Sequence, residues 1–198
     1  MIVFNNLSQE PPYLHLKAQY DEALNAKQKN IEAASISSFN HEIHEVDARY
    51  VNIKFINSEE FIFFSNYNSP KASSFNSHDQ IAALLYWPNI NVQIRMRAKI
   101  KKTSNEYNQK YFFNRSEEKN ALAISSNQSK LIDSYNQVKE NYNKSLKNDD
   151  LKTCPDFWGG YSFTPYYFEF WEGHESRLNK REVYEKNDDN WKHFILQP

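Results

Sequence analysis

Pro155-Asp156-Phe157-Trp158-Gly159-Gly160-Tyr161, then Glu169-Phe170-Trp171-Glu172-Gly173, then Arg177-Leu178-Asn179-Lys180-Arg181 form the C-terminal stretch that decides how this chain is read. A chain of 198 residues ordinarily carries about fourteen glycines; this one has three, all in that stretch. Glycine is kept where the backbone needs positive φ or where another group approaches closely. The glycines sit among Trp158, Trp171, seven further aromatics from Phe157 to Phe170, and Arg177 and Arg181. Aromatic walls and guanidinium groups suit a flat anionic ligand. Composition alone favours the plainer reading, an aromatic sheet core with solvated arginines.

Upstream, Pro11-Pro12 opens a helical pattern from Tyr13 to Ile31, with Leu16, Tyr20, Ala23 and Leu24 on one face. Ala33–Ser38 and Val46–Phe55 read as a hairpin turning at Asn40-His41, and Phe61–Ser65 as a third strand. Ser69-Pro70 caps a short helix to Ser77. Ile81–Trp87 and Val92–Lys101 are strands, the second alternating Ile94, Met96, Ala98 and Ile100 against Gln93, Arg95, Arg97 and Lys99. Helices are expected from Ser104 to Arg115, over Ala121–Ser125 and over Leu131–Leu146. Strands return at Tyr161–Trp171, Glu182–Tyr184 and Trp191–Leu196. Without a βαβ rhythm, the pattern predicts a mainly β protein, an antiparallel barrel with peripheral helices.

The formal net charge of −1 argues against electrostatic binding of nucleic acid. No apolar run is long enough to span a membrane, and Met1–Asn6 has no signal-peptide pattern, so a cytoplasmic protein is expected. Cys154 is alone, which rules out an internal disulfide. His41-x-x-His44 lies in a turn without further ligands, and no metal site is expected. No nucleophilic triad or phosphate loop is visible, which fits a protein whose redox chemistry comes from a bound cofactor.

W-G-G-Y, F-W-x-G and R-L-x-x-R, in that order, resemble the C-terminal signature of the pyridoxamine 5'-phosphate oxidase family of FMN-binding split-barrel flavoproteins. Arg49-Tyr50-Val51-Asn52-Ile53-Lys54 resembles its R-x-V-L-L-K strand, and Phe63-Phe64-Ser65-Asn66 through Lys71 its F-Y-T-N-x-x-S-R-K segment. Gln93-Ile94-Arg95, Tyr111-Phe112 through Arg115, and Gln128-Ser129 match in turn, from about Ala33 to Pro198.

The resemblance implies a split barrel, one domain over 1–198, with a helical segment 1–32 and a dimerisation and flavin-contact segment 155–198. It implies FMN held between the two subunits of a homodimer. Arg49 and Lys71 would face the FMN phosphate, Gln128 and Ser129 the phosphate or ribityl chain, and Gln93 the pyrimidine edge. Tyr50, Val51, Asn52, Ile53, Lys54, Phe64 and Ser65 complete the implied cofactor contacts, and Trp171 and Arg181 flank the isoalloxazine. Lys54, Tyr111, Arg115 and Lys119 would hold the substrate's phosphate, with Arg177 and Asn179 as the catalytic pair over the flavin. Because Arg49 and Lys54 are five apart, one regular strand would put them on opposite faces. A dimer is also expected because the aromatic segment carries more apolar surface than one small barrel covers.

Three departures bear on function. Pro70 stands where the family has an arginine, Lys119 where it has a serine, and Asn179 where it has a histidine. Asn hydrogen-bonds but carries no proton at neutral pH. The leading expectation is oxidation of pyridoxamine or pyridoxine 5'-phosphate to pyridoxal 5'-phosphate by dioxygen, weakened at Asn179. The alternatives are a related FMN-dependent oxidoreductase with another substrate, and a non-catalytic FMN or pyridoxal-phosphate binding protein.

Overall fold

The computed structural model describes residues 1–188 and 190–198. One sheet carries ten strands: β1 Val3–Asn5, β2 Ala33–Asn40, β3 Glu45–Asn52, β4 Phe55–Asn57, β5 Glu60–Asn66, β6 Gln80–Trp87, β7 Val92–Lys102, β8 Trp158–Glu172, β9 Lys180–Asn187 and β10 Asn190–Ile195. Around it pack α1 Pro11–Asn25, α2 Pro70–Ser77, α3 Asn105–Asn114, α4 Glu117–Ser125 and α5 Tyr135–Asn148. The main path runs β1-β4-β5-β8-β7-β6-β2-β3, with β9 beside β8 and β10 beside β9. The pairing is antiparallel except at one edge, where β1 lies parallel to β4, so the sheet is mixed rather than wholly antiparallel.

The sheet turns on β8, whose 15 residues serve two neighbours on one side. Residues 158–163 pair with β5, and residues 167–172 pair with β9. The register against β7 shifts between Arg97 and Ala98, leaving Tyr166 unmatched. Pro165, which has no N–H to give the ladder, sits beside that bulge. The extra residue reverses which face each side chain takes. Tyr161 and Phe163 before it, and Phe168 and Phe170 after it, are all buried in the core. The aromatic segment is therefore consumed inside its own chain, against the expectation that it would supply exposed interface. The exposed apolar side chains lie elsewhere, with Val46 72%, Tyr50 76% and Tyr86 50% exposed. Val46 and Tyr50 flank Ala48 on the outer face of β3, continued by Ser35 and Ser37 on β2 and by Ala82 and Leu84 on β6.

Helix α1 starts at Pro11, two residues before the expected Tyr13 and with both prolines inside its first turn, and ends six residues early, at Asn25. Lys27, at φ 57°, closes it, and the N–H groups of Lys27 and Gln28 donate to Leu24 and Ala23 carbonyls, a Schellman cap with lysine where glycine is usual. Tyr13, Leu16, Tyr20 and Ala23 are buried beneath α1, each large side chain contributing about 1.5–3 kcal/mol. The expected strand 46–55 is two strands, because Ile53 N–H bonds Glu32 O and Lys54 N–H bonds Ile62 O, so the chain changes partners there. Helix α4 starts at Glu117, earlier than expected, and α5 starts only at Tyr135. Among the described residues no helix is long and apolar enough to cross a membrane.

None of the glycines has positive φ; that conformation falls to nine other described residues, among them Asn6, Asn30, Asn91 and Arg177. Close approach is what the glycines provide. A Cβ on Gly159 would lie 2.7 Å from Asn108 Cγ. Asn108 is buried; its Oδ1 accepts from Gly160 N at 2.8 Å and Thr103 Oγ1 at 2.5 Å, and its Nδ2 donates to Tyr67 Oη at 3.0 Å. Gly159→Ala is expected to cost about 2–4 kcal/mol by overpacking that network. Urea denaturation checks this, and an unchanged midpoint would refute it.

Candidate functional site

The site grows outward from β5, where Phe64 and Ser65 point to opposite faces. On the Ser65 side, Lys71 Nζ from the first turn of α2 donates to Ser65 Oγ and Ser69 Oγ, both at 3.1 Å. Ser65 Oγ lies 3.5 Å from Gln128 Oε1. Arg49 stands near enough to act on Lys71. Burial first, and the Arg49 guanidinium second, bring the Lys71 ammonium down to about 8, against a weaker upward pull from Asp47. Arg49 itself donates to Ser38 Oγ at 2.9 Å and pairs with exposed Asp47. Among the described residues no carboxylate pairs with Lys71.

On the Phe64 side lies a cavity of about 250 Å³ lined by Phe64, Asn66, Arg115, Lys119, Gln128 and Trp158. Phe64 stacks on Tyr111 with ring centres 3.7 Å apart, and on Trp158 at 5.3 Å. Arg115 lies over the Trp158 ring at 4.9 Å. It is the C-cap of α3, and its Nη1 donates to Lys119 O at 2.8 Å and Asn120 Oδ1 at 3.1 Å. Asn120 is fully buried and pinned by the carbonyls of Phe112 and Leu151, so the guanidinium is held before anything binds. Neither Arg115 nor Lys119 has a carboxylate partner among the described residues. Burial raises the Tyr111 phenol above its ordinary range, against a downward pull from Arg115, which keeps it a neutral donor. Gln128 joins the two halves: it lines this cavity and faces Ser65.

A third group runs across the strands in register, Gln93 opposite Trp171 and Trp171 opposite Arg181. Glu169 fixes it. Its buried carboxylate accepts from Arg181 Nε at 2.9 Å and Tyr167 Oη at 3.0 Å, and pairs with Arg95. Burial alone would raise Glu169, but the Arg181 and Tyr167 hydrogen bonds and the Arg95 charge outweigh it and hold the carboxyl below its usual range. After β8 the chain carries Arg177 in a loop at φ 62°. Asn179 Oδ1 accepts from His174 N–H at 3.0 Å and Arg177 N–H donates to His174 O at 2.9 Å, which braces the loop.

Not every implied residue joins these groups. Ser129 lines a separate cavity of about 450 Å³ between α4 and α5, with Leu131 and Ile132, because its φ of 66° turns the chain away after Gln128. Lys54 lies by Glu32, which it helps hold below the usual carboxylate range; only its neighbour Phe55 reaches Tyr111, ring centres 5.6 Å apart. Ile53 is wholly in the core and Tyr50 is on the exposed outer face, so of segment 50–53 neither side chain meets Lys71. Sequence reasoning names Trp158 and Glu169 in the C-terminal stretch but assigns neither a particular role. Their signals were a tryptophan ahead of two glycines and a lone carboxylate inside an aromatic strand.

Comparison with known proteins bears on the whole chain. Residues 158–198 match the family model described as the pyridoxine 5'-phosphate oxidase C-terminal dimerisation region. The chain is 32% identical over 194 residues to pyridoxine/pyridoxamine 5'-phosphate oxidase 1 of Hydrogenovibrio crunogenus, covering 96% of this chain and 89% of that one. It is 33% identical over 189 residues to pyridoxine/pyridoxamine 5'-phosphate oxidase of Coxiella burnetii, covering 94% and 95%. Among solved structures, PhzG from Burkholderia lata, in complex with tetrahydrophenazine-1-carboxylic acid, superposes with a TM-score of 0.88 at 24% identity over 94% of this chain and 92% of that one. A pyridoxamine 5'-phosphate oxidase-related, FMN binding protein from Nostoc punctiforme gives 0.78 at 12% identity, over 97% and 100%; both likenesses are of fold. With the split-barrel fold and near-complete coverage by relatives above 30% identity, the chain belongs to the pyridoxine/pyridoxamine 5'-phosphate oxidase family and is an oxidoreductase of that kind.

Proposed function

We propose that this protein is an FMN-dependent oxidase of pyridoxamine or pyridoxine 5'-phosphate, working as a homodimer of single-domain chains. One observation carries the reading: two sets of cations flank β5, half-buried Arg49 and Lys71 on one side and half-buried Arg115 with exposed Lys119 on the other. Among the described residues a carboxylate, the exposed Asp47, pairs with Arg49 but none with Lys71, Arg115 or Lys119. An unpaired, partly buried cation is costly, and a phosphomonoester on each side would relieve Lys71 and Arg115. A donor set of guanidinium, ammonium, serine hydroxyl and glutamine amide fits the phosphate and ribityl ends of FMN. Gln93 would hydrogen-bond the ring's pyrimidine edge, and Trp171 and Arg181 would lie along the ring, Arg181 kept rigid by Glu169.

When bound, FMN supplies the two-electron acceptor and its reoxidation by dioxygen. The chain binds and orients the substrate. Arg115 and Lys119 hold its phosphate, Tyr111 donates from a neutral phenol, and Phe64, Tyr111 and Trp158 form an apolar wall that excludes water from the pyridine ring. Arg177 positions the substrate over the flavin. The flat outer face of β3, β2 and β6, with Val46, Tyr50 and Tyr86 exposed, is the surface offered to a second chain, alongside the C-terminal region that matches the family's dimerisation model. Purified protein should be yellow, and either vitamer phosphate should bleach it anaerobically. A protein that takes up FMN but is bleached by neither compound would favour the second reading, another substrate, for which Asn179 in place of histidine is the motive.

Lys71 makes the pH dependence predictable. A bound phosphate favours the charged lysine, so its pKa is raised on binding from about 8. FMN affinity is therefore full below about pH 8 and falls as pH rises through it, by up to about tenfold per unit, because the empty site must take up a proton. The flavin phosphate stays largely dianionic across this window, its second pKa being about 6. Fluorescence titration at pH 7 and pH 9 measures this. Equal affinities would contradict it, and Lys71→Arg should flatten the profile.

A further inference from the structure

The strands that carry Trp171 and Arg181 carry a different set of groups on their opposite face. Glu172 follows Trp171 on β8, Glu182 follows Arg181 on β9, and His15 reaches them from α1. The ligating atoms of His15, Glu172 and Glu182 all lie within 4.8 Å of one another, and all three side chains are half-buried. A second imidazole stands at the rim, His193 Nε2 3.5 Å from Glu182 Oε1. Gln19 Nε2 lies 3.5 Å from Glu172 Oε1, while its own Oε1 is buried without a partner. The charge does not balance. Two carboxylates face one cation, Lys180, at 2.6 Å from Glu182 and 3.8 Å from Glu172. The Lys180 side chain is 54% exposed and can swing out to water.

We propose that His15, Glu172 and Glu182 form a binding site for a divalent transition ion of the zinc type, with Lys180 as the resident cation that the metal displaces. Imidazole nitrogen with carboxylate oxygen favours zinc, cobalt or nickel over magnesium, which takes an octahedral shell of oxygens. The imidazole is already oriented, stacked on Phe170 at 3.9 Å and edge-on to Tyr184 at 6.0 Å. His193 supplies a fourth ligand by a rotation about its side-chain bonds. The ion would tie α1 to β8 and β9, bracing the strands that present Trp171 and Arg181 on the other side.

The test is titration of the full-length, chelator-treated protein with zinc chloride by calorimetry and thermal shift, with magnesium chloride as control. Cobalt chloride adds an absorption spectrum that reports coordination. Zinc should bind one per chain and raise Tm, and magnesium should not. His15→Phe keeps the stack on Phe170 and removes the nitrogen; Glu182→Gln keeps the shape and removes the charge. Each should weaken zinc binding at least about a hundredfold, since loss of a supporting residue alone costs about 10- to 100-fold. Lys180→Ala should tighten it by removing the competitor. Absence of zinc binding in the wild type overturns the proposal. So does binding that His15→Phe and Glu182→Gln leave unchanged, which would place the ion elsewhere, as at His41 and His78, whose rings are 5.0 Å apart.

Discussion

Arg49→Ala is expected to weaken FMN binding by about 1.5–3 kcal/mol, roughly 10- to 150-fold, while leaving riboflavin binding unchanged. On the proposed reading the guanidinium would face the same anion as Lys71, and a charged hydrogen bond to phosphate would be lost with it. Riboflavin lacks that phosphate and serves as the control. The structure adds a finer expectation. Arg49 is one of the causes that hold Lys71 at about 8, so its removal lets Lys71 regain a proton at higher pH. The loss on Arg49→Ala should therefore be smaller at pH 9 than at pH 7. Above about pH 8, Arg49→Ala and Lys71→Ala should be more than additive in a double-mutant cycle, because the relief at Lys71 is absent once Lys71 is gone. Equal loss for FMN and riboflavin would show that Arg49 acts on the fold and not on the phosphate.

The barrel and its helices were legible because their patterns are local. Alternation in Val92–Lys102 and the Ser104 cap, whose Oγ accepts from Tyr107 N–H at 3.2 Å, depend on neighbours in sequence. What sequence could not carry was the partner change at Ile53-Lys54, which depends on β5 standing beside it. The same holds for the bulge at Tyr166. Sequence shows Pro165 but not that the face reverses there, so the aromatic run reads as surplus apolar surface when both halves are in fact core.

The two cation sets beside β5 were legible residue by residue and not as an arrangement. Arg49, Lys71, Arg115 and Lys119 could be named, but that Lys71, Arg115 and Lys119 lack a carboxylate partner among the described residues is a property of packing. Asn120, which pins Arg115, and Glu169, which pins Arg181, look in sequence like one asparagine among many and a stray acid. Their roles come from being buried beside a cation. Asn179 shows the opposite case. In sequence it is a lost histidine; in the folded loop its side-chain oxygen is a brace, which a ring nitrogen could supply equally well.

That brace bears on the largest expected loss of activity. Arg177→Ala should lower kcat/KM by about 10- to 150-fold, the scale of one charged hydrogen bond made to substrate. Arg177 sits at φ 62°, a conformation that costs a non-glycine residue about 1–2 kcal/mol. Such strain persists only where the surroundings impose it, and here the imposing contacts are those of His174 with Asn179 and with Arg177 N–H. Asn179→Ala should then release the loop and cost about tenfold in kcat/KM, most of it in kcat, because the guanidinium is still present but no longer held. Asn179→Asp keeps the acceptor and should stay near wild type, and Asn179→His should do at least as well. Arg177→Gly separates position from charge: it relieves the backbone and should be more stable than Arg177→Ala by about 0.5–1 kcal/mol, yet be equally inactive. If Arg177→Ala keeps full activity toward both vitamer phosphates, the loop holds no substrate, and Asn179 is a structural residue only.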